Sequence, residues 1–373
     1  MNILVACDSF KGSLSASQVC SVVASTMRAA RPDWELKCQP LADGGEGTAE
    51  ILVSTSSGCW VEVQDITGPL QSMTIKASFA WLPETATAIV EMARASGLAL
   101  VPADQRNPLL TTTFGTGQLL ASALDRGARE VLLTLGGSAT VDGGTGAARA
   151  LGWRFLDARG NEVPLGGRGL LDIRRLVLPS RPMPVISVLC DVTNPLTGPQ
   201  GAARVFSPQK GATPEQTDML ESGLENLARV IETQLGIRVQ DIPGGGAAGG
   251  FGAGAVAFFG GCLHSGVAAV MEKVDFEKQV RWADWVITGE GCLDRTSLQG
   301  KVVSGVLEIA RRWRVPVAVL AGQIRLTPDE LSRAGINLGL SAMPKDMGVE
   351  EGMTRAEELL SNAALRLTKK LFS

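Results

Sequence analysis

Five times along this chain a short apolar run of strand character breaks into a loop of glycines, small residues and a carboxylate. The first loop is Asp8-Ser9-Phe10-Lys11-Gly12-Ser13, and the second is Ala42-Asp43-Gly44-Gly45-Glu46-Gly47. The third runs Gly136-Gly137-Ser138-Ala139-Thr140-Val141-Asp142-Gly143-Gly144. The fourth is Asp191-Val192-Thr193-Asn194-Pro195, and the fifth is Gly289-Glu290-Gly291-Cys292-Leu293-Asp294. Short apolar runs bounded by turn residues read as buried strands. Where such strands alternate with helical patterns, the economical solution is a parallel sheet with crossover helices.

The alternation is clearest at the two ends. Strands are expected over 3–7 and 36–41, and a helix begins in the second loop and runs over 47–53. Between the two strands, Ser15-Ala16-Ser17-Gln18 forms a capping box. It opens a helix with the apolar stripe Val19, Val22, Val23 and Met27, which Pro32 closes. From Asp284 the same rhythm returns, with strands over 285–288, 317–321 and 338–342 and helices over 302–313 and 356–372. The middle reads differently. Runs over 60–64, 73–79 and 88–92 alternate and are separated by Gly68-Pro69 and Pro83, as antiparallel strands would be. Further strands are expected over 131–135 and 185–190, with helices over 117–124 and 146–151 and a long one over 215–234 behind Pro214. The fold class is therefore α/β. A Rossmann-like parallel-sheet domain is expected from 1–57 with 265–373, and 58–264 is expected as an inserted mixed α/β domain. A chain of 373 residues suits roughly two domains.

Composition narrows the function. The net charge of −3 and the lack of a dense Lys/Arg run argue against a nucleic-acid surface. The seven cysteines are odd in number and form no C-x-x-C, which suits a reducing, cytoplasmic setting better than a disulfide or zinc framework. No basic segment followed by a long apolar core opens the chain. The charge-free stretch 242–271 is long enough for a bilayer. Half of 244–261 is glycine, so it reads as a tightly packed buried loop and helix, and no membrane is expected. His264 is the only histidine and there is no tyrosine. His264 is thus the single candidate for histidine catalysis, but no nucleophile elbow lies beside it, so a catalytic base is expected among the carboxylates and lysines.

The five loops carry the chemistry. In open α/β sheets, ligands bind beyond the carboxyl ends of the strands. Helix N-termini attract anions there, and glycines let backbone come close to a phosphate. Carboxylates beside phosphate repel it unless Mg²⁺ lies between them. One carboxylate can also take the proton of an attacking hydroxyl. The combination points to metal-assisted phosphoryl transfer, although any single Asp after a strand is also an ordinary helix cap. Lys11, Lys210 and Lys301, each beside a glycine, are candidate phosphate contacts or solvated loop lysines. Arg106, with the threonine-rich segment after it, either binds an oxyanion or caps a helix. The segment 295–302 is not a P-loop, because Arg295 and Val302 stand where Gly and Ser/Thr belong. Gly244-x-Gly246-x-x-Gly249 matches a dinucleotide fingerprint but lacks a preceding apolar strand, so close helix packing explains it better.

Taken together, these loops resemble the bacterial glycerate kinase type-1 family. Further segments carry the resemblance in family order: Thr67-Gly68-Pro69-Leu70, Glu91-Met92-Ala93, Gly115-Thr116-Gly117 and Cys190-Asp191-Val192-Thr193-Asn194-Pro195-Leu196. Pro208-Gln209-Lys210-Gly211-Ala212, Gly246-Ala247-Ala248-Gly249-Gly250 and Ile287-Thr288-Gly289-Glu290-Gly291 complete the set. The resemblance implies phosphorylation of D-glycerate by ATP with Mg²⁺, in a two-domain α/β enzyme with its site in the cleft between domains. The 2-phosphate is the product such relatives are usually linked to. A homo-oligomer is compatible with the sequence.

On this reading Asp191, Lys11 and Asp8 are catalytic, with Asp191 the base. Gly137, Ser138, Gly289, Gly291, Gly300 and Lys301 bind the nucleotide. Ser9, Ser13, Asp43, Arg106 and Asn194 bind the substrate, and Glu290 and Asp294 hold the metal. Asp8, Asp43 and Asp142 are able to exchange roles with these. The family commonly has Pro where Cys7 stands and Arg where Cys292 stands, with Arg295 the nearest replacement. It commonly has a serine where Gln323-Ile324-Arg325 follows Gly322. The alternatives are an NAD-dependent oxidoreductase resting on Gly244 to Gly249, or a non-catalytic nucleotide or sugar-acid sensor.

Overall fold

A computed structural model describes residues 1–45, 47–180, 182–344 and 346–372. Glu46 of the second loop lies outside the described residues. The chain divides into two compact units, Met1–Asp43 with Val267–Ser373, and Gly44–Gly266.

The unit built from the chain ends holds a five-stranded sheet. Its order is Leu338–Ser341, Val317–Ile324, Trp285–Leu293, Asn2–Val5 and Glu35–Cys38. Every pairing in it is parallel. Parallel strands are buried on both faces, which is why their sequences are near-continuous apolar runs. The helices Ala16–Ala30 and Ala356–Phe372 pack together against this sheet. Val19, Val23 and Met27 of one meet Leu360, Ala363 and Leu367 of the other in a common core. The first of these helices starts at the capping box, with Ser15 and Gln18 each accepting from the other's backbone amide. It ends at Ala30, one residue before the Arg31-Pro32 step.

The other unit holds a mixed six-stranded sheet. Cys262–His264, Val185–Leu189, Glu130–Thr134 and Thr87–Glu91 run parallel, and Thr74–Leu82 and Cys59–Thr67 continue the sheet antiparallel. The strand Thr87–Glu91 is thus antiparallel to one neighbour only. Every residue of it is buried, as a sheet interior requires, and the crossover to its parallel partner includes the helix Phe114–Asp125. Residues 44–57 pack with this unit because the buried Glu91 carboxylate accepts from the amides of Gly47 and Ala49. It thereby caps the helix Thr48–Thr55.

The glycine tract is buried, as its composition suggested. Ala248, Gly249 and Gly250 are left-handed, and the helix continues to Phe259. An added Cβ would lie 2.2 Å from Pro195 O at Gly246, 2.0 Å from Thr140 O at Gly249 and 2.1 Å from Gly143 O at Gly254. These glycines let backbone lie directly on backbone. Among the described residues no helix is long and apolar enough to cross a membrane.

Candidate active site

In the unit built from the chain ends, one cavity of about 350 Å³ opens beyond the carboxyl ends of the parallel strands. It is lined by Asp8, Ser9, Lys11, Ser13, Asp43, Glu290, Gly291, Asp294 and Lys301. Nine residues singled out in the sequence thus meet in one pocket. Their meeting follows from strand order, because Asn2–Val5 and Trp285–Leu293 are neighbours although some 280 residues apart in the chain.

Local geometry sets each side chain. The Asp8 amide donates to Gly289 O (2.9 Å), which ties the first loop to the neighbouring strand. Asp8 Oδ1 accepts from the Ser9 amide at 2.6 Å. The loop then turns tightly, with Gly12 at φ 79° and Ser13 Oγ donating to Phe10 O at 2.9 Å. Glu290 was expected in a loop. The strand instead continues to Leu293, with Glu290 paired to Ala321 and Cys292 to Gln323. Gly289 is needed for that pairing, since a Cβ there would lie 1.9 Å from Leu320 O. Its part is strand packing. Gly291 does face the cavity with room beside it. Gly300 turns at φ 73° just before Lys301, whose helix Val302–Trp313 begins at the cavity edge.

The pocket's electrostatics are strained toward protonation. Burial pushes the Asp8 carboxyl up to about 7, and Asp43 adds to the rise. The Glu290 carboxyl is also raised, mainly by burial, against the pull of Ser297, Lys301 and Lys11. Glu290 Oε1 is buried and has no hydrogen-bond partner. Asp294 behaves differently. Its Oδ1 accepts from the Thr296 and Ser297 amides and from Thr296 Oγ1, so it caps the short helix Arg295–Leu298. Those bonds hold its carboxyl below the usual range.

Several lining residues were given no site role in the sequence reading: Phe10, Gln323, Arg325, Met343, Val349 and Met353. The signal that locates Gln323 and Arg325 is the strand Val317–Ile324, which runs past the expected end at 321. It also joins two of the three departures from the family pattern. Cys292 and Gln323 are cross-strand partners, and Arg325 lines the same pocket. Arg325 lowers, and burial more strongly raises, the Cys292 thiol. Arg295, the nearest replacement by sequence, pairs instead with Glu330 and is largely exposed.

The remaining predicted residues belong to the other unit, Gly44–Gly266. Asp191 follows the strand Val185–Leu189, and its Oδ1 accepts from Gly266 N (3.0 Å) and Ser265 Oγ (3.2 Å). Asn194 donates from its side chain to Gln200 O, and its own carbonyl takes the Gly246 amide. Arg106 Nε donates to Val101 O at 3.4 Å. Gly137 turns at φ 73° before Ser138. Ser138 Oγ is the acceptor of Lys210, which also donates to Thr140 O, both at 2.7 Å. Lys210 is 3% exposed, and burial pushes its ammonium down to about 7 while Asp142 pulls it up. Asp142 is fully buried under donors from Thr113, Gly144 and Gly146. Burial raises its carboxyl and these donors pull it back. Lys210 and Asp142 therefore act as internal struts that hold the third loop against the threonine-rich helix start.

Residues 3–372 match the model of the glycerate kinase family. A protein of Bacillus subtilis named glycerate kinase is 41% identical over 382 residues, covering all of both chains. The glycerate 2-kinase of Escherichia coli K12 is 40% identical, covering 100% of this chain and 98% of the other. A crystal structure from Salmonella typhimurium LT2, provisionally named glycerate kinase 2, superposes with a TM-score of 0.87 at 41% identity, covering 100% of this chain and 98% of that one. Three residues that looked like a dinucleotide fingerprint serve backbone packing, and full-length similarity to kinases displaces the oxidoreductase and sensor alternatives. The chain belongs to the glycerate kinase family and is a kinase.

Proposed function

We propose that this kinase transfers the terminal phosphoryl group of ATP to the C2 hydroxyl of D-glycerate, giving 2-phosphoglycerate and ADP. The observation that carries the reading is the single cavity in which Lys11 and Lys301 stand among the carboxylates of Asp8, Asp43 and Glu290. The name of the Escherichia coli relative, glycerate 2-kinase, supports position 2.

The carboxylates suit Mg²⁺. An orphaned buried oxygen on Glu290 and an Asp8 carboxyl raised to about 7 both indicate charge that the neighbouring lysines only partly balance. Among the described residues no three acidic, Cys or His side chains converge as a metal cage. Mg²⁺ usually takes only one or two carboxylates and fills its shell with phosphate oxygens and water. Glu290 with Asp8 would hold it, and Asp294, the sequence choice, serves better as a cap. Bound there, the ion would neutralise charge on the β- and γ-phosphates.

The chain's own residues do the rest. Lys11 and Lys301 contact phosphoryl oxygens as charge-assisted donors. The Lys11 and Gly12 amides add neutral ones, since those of Phe10, Ser13 and Leu14 donate within the turn. Arg325 supplies the guanidinium that position 292 lacks. Asp191 takes the hydroxyl proton as the oxygen at C2 bonds to the γ-phosphorus and the bond to the β,γ-bridging oxygen breaks. Its Oδ1 is anchored by Ser265 and Gly266, so the carboxylate is held in one orientation.

A coupled ADP-release assay with D-glycerate, ATP and Mg²⁺ tests the activity, and phosphorus NMR of the product tests the position. Asp191→Asn is expected to lower kcat ~10²–10⁴-fold with little change in either KM. Turnover near that of the wild type would remove Asp191 from the role.

A further inference from the structure

The cavity changes character from one side to the other. Its carboxylates and lysines come from the loops around Asp8 and Glu290. Every lining residue contributed by 342–359 is apolar or glycine, among them Met343, Val349, Met353 and Leu359. Val349 and Met353 are 55% and 39% exposed, and what marks them among exposed apolar side chains is that both line the cavity beside Met343 and Leu359. The two sides are continuous. A Cβ added at Gly12 would lie 2.5 Å from Met353 Cε, so the methionine tip rests against the loop that carries Lys11. Met343 in turn packs on Gly352, with a Cβ there falling 2.6 Å from its sulfur.

We infer that this apolar wall seats the nucleobase of the phosphoryl donor, and that it accepts purine bases without reading their edges. The inference rests on the donor being a nucleoside triphosphate, as proposed above. Three arguments support it. A cavity of about 350 Å³ falls in the range for drug-sized ligands, roughly 300–1,000 Å³, and far exceeds what a small hydroxy acid fills. Such an acid is polar throughout, and Met and Val walls would leave its hydroxyls unpaired. A purine ring presents a flat apolar face, and polarizable, flexible methionines adapt to such a face. The lining side chains of 342–359 offer no donor or acceptor that distinguishes an amino from a keto group, and the nearby polar Gln323 carries an amide that both donates and accepts and so fits either. Large discrimination, on the order of 10⁴-fold or more, arises where a site hydrogen-bonds the distinguishing group, whereas apolar pockets reach only ~10².

Calorimetric titration of the full chain with ATP, GTP and inorganic tripolyphosphate, each with MgCl₂, separates base from phosphates. Both nucleotides are expected to bind within about a hundredfold of each other, and each about tenfold or more tighter than tripolyphosphate. Met353→Ser is expected to weaken both nucleotides about tenfold and to leave tripolyphosphate unchanged. Val349→Ser, at a still more exposed position, should repeat the pattern, with Tm reporting that both variants are folded. A preference between the bases above a hundredfold, or variants that weaken tripolyphosphate as much as ATP or weaken nothing, would overturn the inference. If the variants leave nucleotide affinity intact while the wild-type protein phosphorylates D-glycerate from ATP, the base lies elsewhere and the kinase reading stands. If the wild-type protein neither binds nucleotide nor phosphorylates D-glycerate, both fall together.

Discussion

Asp8 and Lys210 are both charged groups held where water is scarce, yet their environments make opposite demands on pH. The Asp8 carboxyl is raised from its ordinary value to about 7, so the folded state binds a proton that the unfolded state has already lost. Its contribution to stability is fully present below about pH 4 and is lost as pH rises to 7. In metal-free protein, Asp8→Asn should therefore raise stability at pH 8 by about 2–4 kcal/mol and change little at pH 4. Urea unfolding at the two pH values measures this, and equal effects at both would refute the burial argument. Lys210 is lowered to about 7, so the unfolded state binds the extra proton between pH 7 and 10. Wild-type stability should rise with pH across that window, and Lys210→Met should flatten the slope. Thermal melts at pH 7, 8.5 and 10 check it. The sequence made both residues candidates by type and neighbours. It carried no information on burial, which decides that Lys11 and Lys301 line a cavity while Lys210 is an internal strut.

At the scale of elements, helix boundaries were legible because their signals are local. The capping box at Ser15 and Pro214 at the first turn of the long helix each act within a few residues. The strand from Trp285 was read as ending at 288, because Gly289 and Gly291 imitate a turn. Contact with Leu320 reverses that reading, since only a residue without a Cβ fits so close to the neighbouring strand. Gly249→Ala should be strongly destabilising, by about 2–4 kcal/mol, because it combines a left-handed φ of 68° with a 2.0 Å approach to Thr140 O. Denaturant midpoints for that variant test it, and a loss within error would contradict the packing account. Asp294→Ala should cost about 1 kcal/mol as a lost cap and leave kcat near that of the wild type. A fall in kcat comparable to that of Glu290→Ala would instead return Asp294 to the metal.

For the whole molecule, the proposed nucleotide site predicts ligand linkage. With Mg²⁺ present, ATP at a hundred times its Kd should add about 2.7 kcal/mol of stability, read as a rise in Tm. No shift at saturating ATP would argue against the pocket. Local chemistry in the sequence determined the α/β class, the main strands and helices at the two ends of the chain and the acidic glycine loops. Each of those depends on residues close together in the chain. Tertiary structure alone decided that Asn2–Val5 lies beside Trp285–Leu293, that the mixed sheet joins parallel and antiparallel strands, and that Arg325 and Met353 share a cavity with Asp8. Strand pairing and burial come from packing over long separations, and no short window of residues encodes which apolar run will lie next to which.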